Sequence, residues 1–328
     1  MESASRRFAA LLGGDPPEHT VVFPMVVADH AAHIAGRKVP DVVHDAEALA
    51  TVLYDAWSEY GYDMVMVFAD TVVEAEAMGA EVEFPEDDNA FIVTPPAPDR
   101  LHVSDPLKDG RVPVMLEATR ILKRRLGDDV PLITSIKGPF SVAAFVAGIE
   151  TLLADVICAP DEAHGFLKLA LENQVAYVRA IVEAGGVPFI GDPVASGSLI
   201  SPKVFREFAQ PYLADLIDEI HGCGCWAGLH ICGETTDVLV SMKQTGADVL
   251  SVDGIDLANA RKKVGPDAIL MGNVSTQLVR SGTPDGVRSA SQACIDKAGP
   301  SLVLCTACDV PKASPKENVR AMVDTARN

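Results

Sequence analysis

The sequence predicts an α/β fold, a closed (β/α)8 barrel built as one domain over residues 1–328. Two observations carry that expectation. Eight short, apolar, β-branched runs recur along the chain, and longer segments with apolar residues three and four apart lie between them. Strands that alternate with helices pair in parallel, and eight such units close on themselves as a TIM barrel. An open doubly wound sheet that binds nucleotides loses support. No G-x-G-x-x-G follows the first strand, and no G-x-x-x-x-G-K-[ST] occurs.

In chain order the strand runs are VVFPMVV from Val21, DMVMVFAD from Asp63, PLITSIKGP from Pro131 and VPFIGD from Val187. CWAGLHIC from Cys225, VLSVDG from Val249, AILMGNVS from Ala268 and SLVLCTACD from Ser301 complete the set. A short amphipathic helix around FAALL opens the chain. Helices are expected over residues 44–60, 113–126 and 161–184, the last opening with Pro160 and Asp161 and stopping at Gly185-Gly186. Another runs from Ser201-Pro202 to His221-Gly222. The final helix has Ser314 as its N-cap, Pro315 at the first helical position and Glu317 in the first turn. Residues 79–112 break the repeat: EVEF and FIVT alternate around an acidic turn, which predicts a β-hairpin inserted after the second strand as part of a lid.

Bulk properties narrow the function. The formal net charge of -19 argues against a nucleic-acid footprint, which needs a basic face, and against an anionic membrane surface. The apolar run near the N-terminus is too short for a signal segment, and no window approaches the roughly 18 apolar residues of a membrane span, so a cytoplasmic protein is expected. Seven cysteines, an odd count without a secretion signal, argue against a disulfide framework and leave metal ligation, catalysis and core packing.

Barrel enzymes place their chemistry at the C-terminal ends of the strands. Those ends carry Asp70, Lys137, Asp192, His230 with Cys232, Asp253, Asn273 and Cys308. Any one of these alone reads equally well as a helix cap or a buried hydrogen-bonding group, Asp253 and Asn273 above all. Together they describe a site. In His230-Ile231-Cys232 the two outer residues point to the same face of the fifth strand, so imidazole and thiol emerge side by side. Zinc accepts nitrogen and sulfur at about 2.0–2.3 Å. Cys305 and Cys308 are the candidates for a third ligand, and Cys308, at the exit of the eighth strand, is preferred. This choice requires the ligands to converge on the barrel axis.

Cys223 and Cys225 lie at the start of the ligand strand, roughly 20 Å from the mouth at 3.3 Å per residue, and are read as structural. Cys158 and Cys294 are read as packing residues in helices. Three zinc ligands leave one coordination position open. A zinc ion with two thiolates is a poor activator of water but holds a substrate thiol as thiolate, ready to attack a methyl carbon.

The segments GLHICGETTDVL, VLSVDGIDLANARKKVG, ILMGNVS and LCTACDVPKASPKENVRAMV, with MVMVFADTVVEAEAMGAEVEF and KGPFSVAAFVAG upstream, resemble the uroporphyrinogen decarboxylase superfamily over nearly the whole chain. The arginine-rich motif of true decarboxylases is absent: FPMVVADHAAH stands there. Phe145 replaces an aromatic hydroxyl, and Cys308 stands where decarboxylases show histidine. The H-x-C and distant cysteine instead resemble the methylcobamide:coenzyme M methyltransferases.

That resemblance implies a zinc-dependent methyltransferase that moves a methyl group between a corrinoid and a thiol such as coenzyme M. It implies Zn2+ on His230, Cys232 and Cys308, with a further carboxylate ligand left unplaced, and Asp70 and Asp192 lining an acidic cavity as polar anchors or proton acceptors. No D-x-H-x-x-G-like corrinoid motif is present, so methylcobalamin would arrive free or on a separate corrinoid protein. The competing readings are demethylation of a methoxylated substrate, porphyrinogen decarboxylation, and a passive binding protein. Metal content separates the last two from the first pair. Many barrels dimerise, so a homodimer is kept as an expectation, although no exposed apolar stripe points to an interface.

Overall fold

The computed structural model describes residues 2–15 and 17–328. Its strands are β1 (Val21–Phe23), β2 (Val65–Val67), β3 (Glu81–Glu83), β4 (Phe91–Thr94), β5 (Leu132–Lys137), β6 (Val187–Gly191), β7 (Gly228–Ile231), β8 (Val249–Val252), β9 (Ile269–Val274) and β10 (Leu302–Thr306). Eight of them form one parallel sheet in the order β1-β10-β9-β8-β7-β6-β5-β2. Each of these eight falls inside one of the eight apolar runs. Side chains on both faces are buried, inward against one another and outward against helices, which is why the runs are continuous rather than alternating.

The barrel has a seam. β1 and β2 share no ladder among the described residues, and the side chain of Asp63 bridges them instead. Its backbone N–H donates to Val22 O (2.8 Å), and its Oδ2 accepts the Val22 N–H (2.8 Å). Arg7, from the opening helix Ala4–Leu12, pairs with Asp63 Oδ1. At the other end Ala28 N–H donates to Phe68 O (3.2 Å). The opening helix is capped by Ser3 and buries Phe8 edge-on against Trp226.

Three local expectations are corrected. The segment from Ser201 to Gly222 is helical throughout but contains a π-helical turn, Phe205–Ala209. Pro211 lacks the N–H that an unbroken α-helix would direct at residue 207, and the wider turn accommodates its ring. The last helix starts one residue later than expected, Lys316–Thr325 with Pro315 as N-cap, and the Ser314 hydroxyl is buried without a partner. Cys158 is exposed at the end of helix Ile149–Cys158 rather than packed.

The hairpin forms as β3 and β4, an antiparallel pair with a bulge between Glu81 and Val82. Its turn end is tied down at two points. Arg111 lies over the Phe84 ring at 4.7 Å, and the turn residue Asp87 takes an ion pair from Lys312 (2.7 Å) in the loop after β10. The insertion therefore reaches from the C-terminal end of β2 to that of β10, along the rim of the mouth. It also leaves Phe91 and Val93 about half exposed beside Ile149, across a cleft of about 350 Å³. The sequence pattern had suggested no such patch. Helices Pro139–Ala147 and Ile149–Cys158 meet there at a 106° bend, and among the described residues no single helix is long and apolar enough to cross a membrane.

Candidate metal centre and cavity

β7 delivers His230 to the barrel interior, and its register sets His230 opposite Ser251 of β8. The imidazole Nδ1 lies 2.9 Å from Ser251 Oγ, and Nε2 lies 3.1 Å from Cys232 Sγ. With Nδ1–H donating to the hydroxyl, the Nε2 lone pair faces the sulfur. Cys308 lies two residues past the end of β10, and its Sγ reaches within 3.6 Å of Cys232 Sγ. β8 and β9 stand between the two ligand strands in the sheet, so these side chains meet only by turning toward the axis.

The three ligand atoms lie within 4.8 Å of one another, the group among the described residues that is close enough to hold an ion. Their spacing fits a zinc-sized one. Tetrahedral bonds of about 2.3 Å place two sulfurs about 3.8 Å apart, whereas a disulfide needs about 2.05 Å. The sharing of a proton with Cys232, and then burial, push the Cys308 thiol well up, with His230 acting the other way. Ser251 is the outer partner that fixes the imidazole, as metal-bound histidines require.

The remaining cysteines are elsewhere. Cys305 is fully buried within β10, and burial holds its thiol up. Cys223 and Cys225 are partly buried before β7, with Cys223 Sγ near Glu219 (3.9 Å). Cys294 is buried on helix Pro284–Ala298.

Asp253 and Asn273 take the structural role. Asp253 Oδ2 accepts the Gly233 N–H (2.7 Å), and Asn273 Nδ2 donates to the carbonyls of Asp253 (2.7 Å) and Ile255 (2.6 Å). They brace the turn that follows Cys232, where Gly233 has φ +72°.

Asp70 and Asp192, expected as polar groups of the site, are not among the residues that line the cavity beside the three candidate ligands. Both are buried, where a carboxylate is costly unless paired. Arg111 grips Asp70 with two nitrogens (2.5 and 3.2 Å) and Glu76 with a third (2.7 Å). Asp192 Oδ1 accepts the backbone N–H (2.8 Å) and hydroxyl (2.5 Å) of Ser141, while burial pushes its carboxyl up to about 6.

The cavity beside the three ligands measures about 80 Å³. Met25, Phe68 and Phe189 form its apolar wall, and Ser135, Lys137 and Asp309 supply polar groups. Burial raises Asp309, with Lys137 and His230 opposing. No arginine lines the cavity among the described residues. Sequence reading missed Ser251, Asp309 and Arg111. A lone hydroxyl in the apolar VLSV run was a usable signal for the first. Adjacency to Cys308 was one for the second. Nothing local tied Arg111 to a carboxylate 41 positions away.

Comparison with known proteins identifies the family. The uroporphyrinogen decarboxylase (URO-D) family profile matches residues 3–328. A methylated-thiol–coenzyme M methyltransferase of Methanosarcina mazei is 31% identical, over 98% of this chain and 88% of its own. A methylcobamide:CoM methyltransferase of Methanosarcina acetivorans is 30% identical, over 94% and 92%. A solved methyltransferase from Methanosarcina mazei superposes with a TM-score of 0.92 at 27% identity, covering 100% of this chain and 99% of that one. The chain belongs to the uroporphyrinogen decarboxylase family and, within it, to the methyltransferase branch.

Proposed function

We propose that the protein transfers a methyl group between a corrinoid and a small thiol bound beside His230, Cys232 and Cys308, with Zn2+ as the resident ion. The convergence of one imidazole nitrogen and two sulfurs within 4.8 Å, next to a small cavity, carries this reading. Zinc held by three protein ligands keeps a position open and lowers the pKa of a thiol bound there.

The protein's own groups do the rest. Ser251 holds the His230 ring, and the rigid β7 strand fixes the spacing of His230 and Cys232. Phe68, Phe189 and Met25 exclude water from the reacting sulfur. Asp192 positions rather than reacts: its backbone N–H holds His230 O (2.9 Å), and its carboxylate anchors Ser141 at the start of helix Pro139–Ala147. Asp70 positions Arg111 under the hairpin. The methyl carrier, supplied as methylcobalamin or on a corrinoid protein, approaches the mouth that the hairpin rims. Decarboxylation of a porphyrinogen fits poorly, since a cavity of about 80 Å³ without an arginine has neither the space nor the charge for a polycarboxylate tetrapyrrole.

The test is elemental analysis of protein purified without chelator, beside methylcobalamin:thiol methyl transfer. The expected result is near one zinc per chain in the wild type, with zinc and activity both lost in Cys308→Ser while the circular dichroism spectrum is unchanged. Full activity in Cys308→Ser would sink the proposal.

A further inference from the structure

We infer that Cys223 and Cys225 form a reversible disulfide site at the N-terminal end of β7, one that a small disulfide oxidises to an internal bond. It stands apart from the metal centre and does not depend on the reading given for it. Helix Gln210–Gly222 ends in a turn that folds the chain back on itself. The Cys223 and Cys225 N–H groups both donate to the Ile220 carbonyl (3.2 Å each), and Gly224 N–H donates to His221 O (2.8 Å). Gly224, between the two cysteines, has φ +78°, which glycine adopts without steric cost. Two Cα–Cα steps of about 3.80 Å span at most roughly 7.2 Å. The reversal shortens that to about 5–6 Å, inside the window of about 4.4–6.8 Å that a disulfide bridges.

Packing alone does not describe these two residues. Cys294 and Cys305 are buried, as packing cysteines are, whereas Cys223 and Cys225 are both partly exposed. Among the described residues the Cys225 thiol has no hydrogen bond, and Cys223 has only its long contact to Glu219 (3.9 Å). Burial, and then the Glu219 carboxylate, raises the Cys223 thiol; burial, and then Cys223 itself, raises Cys225. The two sulfurs therefore lie close enough to feel each other's charge. A strongly oxidising disulfide is one whose reduced form gains from a stabilised thiolate, and neither thiol here has that gain, so a mild oxidant suffices. One thiolate of the pair attacks a low-molecular-weight disulfide, forming a mixed disulfide and releasing a small thiolate. The second cysteine then attacks the protein-bound sulfur and expels the other small thiolate. The pair loses two protons and two electrons, and the small disulfide takes both electrons to become two thiols. Excess small thiol runs the exchange backwards.

The test is to equilibrate the zinc-loaded protein with excess glutathione disulfide, quench with an alkylating agent and map the peptides by mass spectrometry. Cys158, exposed at a helix end, serves as the reference for a lone thiol in the same chain. A glutathione adduct is expected to persist at Cys158. The segment holding Cys223 and Cys225 should instead have lost two hydrogens and carry no glutathione. The internal bond should exceed the adduct about tenfold or more, because the second thiol acts at a high effective concentration. Dithiothreitol should restore both thiols. Cys223→Ser and Cys225→Ser should each keep glutathione on the cysteine that remains. An adduct persisting on either cysteine of the wild type as it does at Cys158 overturns the inference. Two free thiols there when Cys158 is fully modified overturn it as well. If one serine variant fails to fold, the other variant and the wild-type map decide.

Discussion

The two sides of the barrel mouth satisfy their polar atoms in different ways. On the β7–β8–β10 side, His230, Cys232 and Cys308 point at one another with a single outside partner, Ser251. On the β2–β5–β6 side the charges are mostly closed off: Asp70 by Arg111, one Glu74 oxygen by a backbone N–H, and Asp192 by Ser141. The Lys137 ammonium, resting over Phe68, and Asp192 Oδ2, buried without a hydrogen bond, are the exceptions there. The contrast separates chemistry from scaffolding more sharply than burial does, because both sides are buried. The candidate ligand atoms line the cavity, whereas the paired charges opposite hold the wall.

The comparison breaks first at Arg111. If the acidic side is scaffolding, Arg111→Met leaves Asp70 charged and unpaired and should cost about 3–5 kcal/mol in denaturant unfolding. The pair Arg111→Met with Asp70→Asn should recover much of that. A loss below about 1 kcal/mol for the single change would mean that the ion pair is not what holds the wall.

A histidine outside both sides gives the next test. His30 is fully buried, with Nδ1 bonded to Lys312 O (3.0 Å) and Nε2 to the Tyr60 hydroxyl (2.9 Å). Burial lowers it from 6.5 to about 4. The unfolded chain therefore binds its proton more readily than the native one. The stability it contributes is complete above about pH 6.5 and is lost as pH falls toward 4, roughly 3 kcal/mol in all at about 1.4 per unit. His30→Gln should flatten that acid limb and leave zinc affinity unmoved; a change in zinc affinity would merge the two classes of histidine.

The smallest effect sharpens the ligand side. Ser251→Ala should weaken zinc binding about 10- to 100-fold, read by chelator competition, with the fold retained. Unchanged affinity would make the hydroxyl a bystander.

The strands were legible because each barrel strand is an unbroken apolar run with a turn residue at its end, and all eight fall where those runs lie. The H-x-C pair was legible from strand alternation alone. Cys308 needed a guess about convergence across two intervening strands, since no local pattern specifies where a loop turns its side chains. The roles of the acidic residues were hard to read for a related reason. Asp70 and Asp192 mark strand ends in the sequence, but whether a carboxylate faces substrate or a buried guanidinium depends on a partner far along the chain. The π-turn at Phe205–Ala209 was in principle readable from Pro211, and the late start of the last helix was not, because Ser314 satisfies every local rule for a cap.

The seam between β1 and β2 has a consequence for synthesis. β1 takes its sheet partner from β10, with Val21 set against Val303, so the first strand made is the last one paired. At roughly 5–20 residues per second, the interval between them on the ribosome is on the order of tens of seconds. The contacts available to hold β1 alongside β2 before the ring shuts are the Asp63 clasp, reinforced by Arg7, and the bond from Ala28 N–H to Phe68 O.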